Sequence, residues 1–181
     1  MSHTEKTIDS TRIFEGRVVR LRRDTVELEN GKQTFREVID HPGGVSILAM
    51  DGQGKIFFVR QFRYPFGQML LELPAGKLEP GEDPADSGRR ELREETGCTA
   101  GRFEPMGKLI PTCAYDTEVI YLFFAAELCQ GEQDLDENEF LSVERYTLEE
   151  ALDMVLDGEI IDAKTQIALL KYKALRDAGR I

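Results

Sequence analysis

The stretch GKLEPGEDPADSGRRELREETGC, residues 76–98, decides how the rest of the chain reads. From Ala75 to Gly81 it is punctuated by Gly and Pro, which predicts a loop. A helix opens next, because Asp83 can cap the first free N–H groups, Pro84 suits the first turn and Gly97 is a fitting C-terminal stop. Side chains placed at about 100° per residue put Glu91, Glu94 and Glu95 on one face. Ala85, Gly88 and Leu92 form an adjacent stripe able to pack on a sheet, with Asp86, Arg90 and Arg93 toward the other side.

That carboxylate face is electrostatically awkward. Like charges three and four residues apart cost a few tenths of a kcal/mol each, and glutamates in the last turns meet the negative end of the helix dipole. Two resolutions are open at this level. One is solvation with local help from Arg89, Arg90 and Arg93; the other is a bound cation, since clustered carboxylates are hard oxygen ligands suited to Mg²⁺ or Mn²⁺.

On the N-terminal side, residues 13–39 read as two strands joined at Glu29-Asn30-Gly31-Lys32, where Asn-Gly can supply both positive φ angles of a type I′ turn. The apolar runs Val45 to Met50 and Ile56 to Phe62 flank Asp51-Gly52-Gln53-Gly54 and predict a second hairpin. Met69 to Leu73 is a further short strand ended by Pro74. On the C-terminal side, strands are predicted at residues 103–110 and 118–127 around a loop at 111–117, followed by an acidic loop from Gln130 to Glu139. Thr147 with Glu150 makes a capping box for a helix to about Leu156, and Asp162 starts another to about Asp177, before Gly179. Strands interrupted by one central helix, with two helices at the end, argue for an α/β or α+β sandwich.

With 181 residues and 41% hydrophobic content, the chain suits one well-buried core. Lys and Arg total 23 against 34 Asp and Glu, and the formal charge of -11 argues against nucleic acid or an anionic membrane as partner. Cys98, Cys113 and Cys129 lack metal-type spacing and have only His3 and His41 as imidazole companions, which argues against a zinc site. The start carries no apolar core of a signal peptide, and the longest apolar run, Ile120 to Ala126, is far short of a membrane span. The expected compartment is the cytoplasm.

Gly76, Glu82 and Arg90-Glu91-Leu92-Arg93-Glu94-Glu95-Thr96-Gly97 together resemble the Nudix box at every fixed Gly, Glu and Arg position. The usually aliphatic final position is Cys98, a small hydrophobe in a core. The resemblance implies a Nudix-type α/β/α sandwich with a mixed β-sheet in residues 43–181, preceded by an N-terminal antiparallel β-hairpin region in residues 1–42. It also implies roles. Glu91 and Glu95 match the principal metal ligands, Glu94 a ligand or base that varies among members, and the carbonyl of Ala75 a backbone ligand beside Gly76. Glu82 and Arg90 match the pair that braces loop against helix.

Outside the box, Arg36-Glu37-Val38, His41-Pro42-Gly43, Val59-Arg60-Gln61-Phe62-Arg63, Glu72-Leu73-Pro74-Ala75-Gly76-Lys77, Asp136-Glu137-Asn138-Glu139 and Gly158 to Thr165 resemble the ADP-ribose pyrophosphatase branch. That resemblance implies substrate contact by Arg36, Glu37, Arg63 and Glu118, a general base in Glu137 and a further metal ligand in Glu139. Tyr115 is a candidate to stack on a base or ribose, with core filling as the alternative. One departure stands out: Thr112-Cys113-Ala114-Tyr115 occupies the place where ADP-ribose-specific members commonly carry Ser-Pro-Gly-Phe, which leaves other nucleotide sugars open. The expected reaction is Mg²⁺-dependent (or Mn²⁺-dependent) cleavage of a nucleoside diphosphate sugar into a nucleoside monophosphate and a sugar phosphate. Cleansing of nucleoside triphosphates and non-catalytic sensing of nucleotide sugars are the rival readings. Relatives in the branch are homodimers, so the resemblance implies a homodimer here, for which light scattering is the check.

Overall fold

The computed structural model describes every residue except Met1, Ser2, Asp136 and Asn138. Two of the four residues in the acidic quartet 136–139 therefore lie outside the described residues. The chain divides into two compact units, one of residues 1–43 with 110–119 and one of residues 44–109 with 120–181.

The first unit is an antiparallel meander of β1 (Lys6–Glu15), β2 (Arg20–Glu27) and β3 (Gln33–Ile39). The first of these strands was not foreseen in full: all ten of its residues are exposed, so KTIDSTRIFE carries no apolar alternation to betray it. The turn between β2 and β3 also differs from the expected type I′. Gly31 has φ 76°, Asn30 is not among the residues of positive φ, and Leu28 both donates to the Lys32 carbonyl and accepts from the Gly31 N–H. A single left-handed glycine closing a longer loop satisfies the twist without strain at Asn30. Residues 110–119 dock along the end of β3, where the Ile39 N–H donates to the Tyr115 carbonyl (2.7 Å) and the Thr117 N–H to the Ile39 carbonyl (3.0 Å).

Among the described residues, the second unit holds two sheets and three α-helices. A four-stranded mixed sheet has the order β7-β4-β9-β8, with β4 (Gly44–Ala49) parallel to β9 (Ile120–Gln130) and antiparallel to β7 (Ala75–Lys77), and β8 (Cys98–Leu109) antiparallel to β9. A three-stranded antiparallel sheet has the order β10-β5-β6, from β10 (Leu141–Thr147), β5 (Lys55–Arg63) and β6 (Gln68–Glu72). The expected hairpin of the two apolar runs is therefore corrected. Asp51 to Gly54 does turn the chain, but only Met50 and Ile56 bridge across it, and β4 and β5 enter different sheets. Every residue of β4 is buried, which explains its unbroken apolar run: a central strand covered on both faces needs no polar side.

Helix α1 (Pro84–Thr96) packs Leu92, with Val45, Ile47, Phe57, Cys98 and Phe123, into one core. Gly88 belongs to the same contact; a Cβ there would fall 2.8 Å from the Phe103 ring, so the helix can lie this close only on a glycine. Helices α2 (Leu148–Leu156) and α3 (Ala163–Asp177) close a second core with Leu48, Phe58, Leu122 and Phe124. Helix caps follow the residues that predicted them: Asp83 accepts from Ala85, the Thr147/Glu150 box is closed in both directions, and Asp162 caps α3. No helix among the described residues is long and apolar enough to cross a membrane.

Candidate functional site: the acidic face of α1

Glu91, Glu94 and Glu95 do emerge on adjoining turns of α1, but their surroundings differ. Arg90 is the hub. Its guanidinium donates to both oxygens of Glu82 (3.0 and 3.1 Å), to Glu91 (2.8 Å) and to Glu94 (2.9 Å). The fork from Arg90, opposed in part by burial, holds the Glu82 carboxyl down at about 2, with the Glu79 N–H adding to it. The loop before α1 is thus tied to the helix by a charge-assisted bidentate contact.

Glu95 lies deepest, 3% exposed, and its carboxylate accepts from the Ala75 N–H at 2.9 Å. Burial pushes it up to about 8 against that hydrogen bond, and the charges of Glu91 and Glu139 push the same way. Burial also raises Glu91, which Arg90 opposes and Glu94 and Glu139 reinforce. The charge of Glu139 reaches both of these groups, while Glu137 is exposed on the same loop and makes no hydrogen bond to α1 among the described residues. The loop reaches the end of α1 by three contacts: the Asp134 N–H donates to the Glu94 carbonyl (3.0 Å), the Gln133 side-chain Nε2 to the Glu95 carbonyl (2.5 Å) and the Gly131 N–H to the Gly97 carbonyl (2.8 Å). Carbonyls that the end of α1 leaves without helical partners are satisfied in this way, a connection the acidic composition of the loop did not reveal.

Gly76 closes the floor of the site. It pairs with Val45 in the sheet, and a Cβ on it would fall 1.9 Å from Glu91 Oε1. The Ala75–Gly76 main chain and the Glu91 carboxylate therefore compete for one space, and only glycine admits both. The Pro74 carbonyl is taken by the Ile47 N–H (2.8 Å), and the Leu73 N–H by the Thr165 hydroxyl (2.9 Å).

Among the described residues, no three carboxylate, imidazole or thiolate groups stand together as a finished cation cage. Arg90 draws Glu91 and Glu94 aside, and the Ala75 N–H engages Glu95. The donor chemistry nevertheless fits a hard divalent cation. Buried Glu95 and half-buried Glu91, raised by burial first and then by neighbouring carboxylates, sit against strand β7, and a cation there would relieve the part of that shift that repulsion supplies.

Arg63 belongs to the second unit and lies close enough to Glu95 to feel its charge. It forks onto Glu72 (2.6 and 2.8 Å), a carboxylate only 1% exposed that also receives Lys164. The sequence assigns no role to Glu72 or Lys164, because their contact spans 92 residues. Burial pushes the Glu72 carboxyl up, yet Arg63 and Lys164 outweigh it and hold it at about 2. This folded value lies below the ordinary 4.5. The ion pair thus stabilises the fold fully above the ordinary value, and the contribution is lost as pH falls from there through about 2. The expected outcome is a loss on the order of 2–3 kcal/mol over that window, read as a fall in Tm with acidification that Glu72→Gln blunts.

The remaining candidates lie in the first unit. Arg36 is engaged by Glu5 through Nε and Nη2, at 2.9 and 2.5 Å, and Glu37 is exposed one residue further along β3. Glu118 approaches His41 Nδ1 at 3.7 Å, and that nitrogen lies 3.0 Å from the Gly43 N–H that donates to it. Tyr115 is exposed, which sets aside the core-filling alternative for its ring. Cys98 is fully buried in the core under α1, as its small apolar character implied, whereas Cys113 is exposed.

Comparison with known proteins agrees with this architecture. Residues 40–167 match the NUDIX domain, and residues 5–39 match the nucleoside diphosphate sugar hydrolase N-terminal domain. Over 176 residues the chain is 43% identical to the ADP-ribose pyrophosphatase of Bacillus subtilis (strain 168), covering 96% of this chain and 95% of that protein. It is 42% identical over 176 residues to the methanol dehydrogenase activator of Bacillus methanolicus, with the same coverage. A crystal structure of an ADP compounds hydrolase superposes with a TM-score of 0.86 over 100% of both chains at 21% identity, which bears out the expected mixed-sheet sandwich with its N-terminal antiparallel strands. With a domain match over more than half its length and a relative of this identity along nearly all of it, the chain belongs to the Nudix family.

Proposed function

We propose that the protein hydrolyses the diphosphate linkage of ADP-ribose or a related nucleoside diphosphate sugar, with Mg²⁺ as the metal and Mn²⁺ as a substitute. The observation that carries this reading is the pair of half-buried Glu91 and buried Glu95, crowded against Ala75–Gly76 and reached by the charge of Glu139. The name of the Bacillus subtilis relative supports the substrate class, as does the match of residues 5–39. Nudix hydrolases are in general dependent on a divalent metal.

A diphosphate is an anionic, kinetically inert electrophile, so catalysis must neutralise its oxygens and deliver water in line. When bound, the cation supplies charge neutralisation and lowers the pKa of water. Glu91, Glu95, Glu139 and the Ala75 carbonyl would hold it. Arg63 presents a guanidinium to the phosphates, a geometry suited to bidentate contact. In the first unit, Arg36, Glu37 and Glu118 are candidates for substrate contact and Tyr115 for stacking on a base or ribose, on the resemblance of these positions to the branch. Water forms the new bond to phosphorus, its proton passes to Glu137 or Glu94, and the bridging P–O bond breaks. ADP-ribose then yields AMP and ribose 5-phosphate.

The test is a panel of ADP-ribose, ADP-glucose, GDP-mannose, UDP-glucose, FAD, NADH, dinucleoside polyphosphates and nucleoside triphosphates, with products identified by chromatography. A nucleotide sugar is expected to be the best substrate. Preference for a triphosphate would replace this reading, and binding of a nucleotide sugar without turnover would favour a sensor. In the same assay Glu137→Gln is expected to lower kcat by about 10²-fold or more while metal affinity stays near normal. Full activity in that variant would transfer the base to Glu94.

A further inference from the structure

Glu72 is a carboxylate in the protein interior at the end of β6, and it is neutralised twice, by Arg63 from β5 and by Lys164 from the first turn of α3. A single cation would suffice to compensate it. Arg63 spends only one edge of its guanidinium on this contact, with Nε and Nη2 donating to the two carboxylate oxygens. Nη1 has no hydrogen-bond partner among the described residues, and the side chain is 37% exposed. Because the guanidinium is planar and rigid, fixing one edge fixes the direction of the other.

Resting on the diphosphate-hydrolase reading above, we propose that Glu72 and Lys164 are positioning residues that aim the outer edge of Arg63 at the diphosphate of the substrate. Glu72 sets the orientation. Lys164, 13% exposed and bridged to Asp162 at 3.0 Å, keeps Glu72 compensated when the guanidinium is also drawn toward phosphate oxygens. Without the lysine, any shift of Arg63 toward substrate would expose an uncompensated buried carboxylate, which is costly. Arg63 would then be retained by Glu72 alone and be less available to the substrate.

The same turn of α3 also steadies the floor of the site. Thr165 donates to Asp162 (2.6 Å) and accepts from the Leu73 N–H (2.9 Å), two residues before Ala75. Asp162 thus links Lys164, which serves Arg63, to Thr165, which serves the Leu73–Ala75 turn. Sequence spacing hides this link, since α3 lies about ninety residues from β6.

The test combines Lys164→Met, Lys164→Arg, Arg63→Met and the double variant Arg63→Met/Lys164→Met. Lys164→Met is expected to raise KM for ADP-ribose about tenfold with kcat and Mn²⁺ affinity little changed, and Lys164→Arg to restore KM. The double variant is expected to be no worse than Arg63→Met, because the lysine acts through the arginine. Calorimetric binding of inorganic pyrophosphate with Mg²⁺ present should weaken about tenfold in Lys164→Met, and this readout needs no turnover. If the unmodified protein cleaves no nucleotide sugar, the function reading fails, and pyrophosphate binding alone decides the positioning role. Additive effects in the double variant, a fall in Tm without a change in KM or pyrophosphate binding, or failure of Lys164→Arg to rescue would each overturn it.

Discussion

Glu95→Gln is expected to lower kcat for a nucleoside diphosphate sugar by about 10³-fold or more and to weaken Mn²⁺ binding in parallel, while Tm holds or rises. Activity and stability part company for a physical reason. Glu95 is 3% exposed, and burial with the charges of Glu91 and Glu139 pushes it up to about 8. As an ionised group it is a burden on the fold, and a neutral amide of the same shape removes that burden. The Ala75 N–H keeps an acceptor in the amide oxygen. What the amide cannot supply is the charge that a divalent cation requires. Spectroscopic Mn²⁺ titration, steady-state kinetics and thermal melts on the same preparations read all three quantities, and a variant that retains activity would remove Glu95 from the site.

Gly76→Ala should be the second large effect, and again mainly on activity. The backbone at Gly76 is of negative φ and any residue can adopt it, so no conformational strain arises. The added Cβ meets Glu91 Oε1 at 1.9 Å and Glu91 Cδ at 2.0 Å. These atoms end a flexible side chain, so Glu91 can turn away at a cost to stability of about 1–2 kcal/mol. Turned away, it no longer stands against Ala75–Gly76 of β7. We expect a loss of about 10²-fold in kcat/KM, with most of the fold stability retained in chemical denaturation. An alanine variant of normal activity would mean that Glu91 does not act from this position.

Much of the helix chemistry was legible from local residues alone. Asp83, Gly97, the Thr147/Glu150 box and Asp162 each act within about a turn of themselves, so their types and spacing suffice. The carboxylate face of α1 was legible for the same reason. Elements whose identity depends on distant partners were not. β1 is exposed throughout and defined only by its pairing with β2. β4 and β5 flank a convincing turn, yet the choice between hairpin and two sheets is made by β9 on one side and by β6 and β10 on the other. Nothing local to Arg36 points to its partner Glu5, 31 residues away, and the ion pair of Lys164 with Glu72 bridges 92. A side chain's chemistry is local, but the charge that satisfies it is not.

On this reading the acidic face of α1 serves cation-dependent hydrolysis of a diphosphate. Incubation of the protein with ADP-ribose and Mg²⁺ in ¹⁸O-labelled water, with and without chelator, tests it most directly. Mass analysis should find AMP and ribose 5-phosphate, with a single label on one of the two products, and both should vanish on chelation. Absence of turnover, or turnover indifferent to the chelator, would rule out cation-dependent diphosphate hydrolysis by this protein.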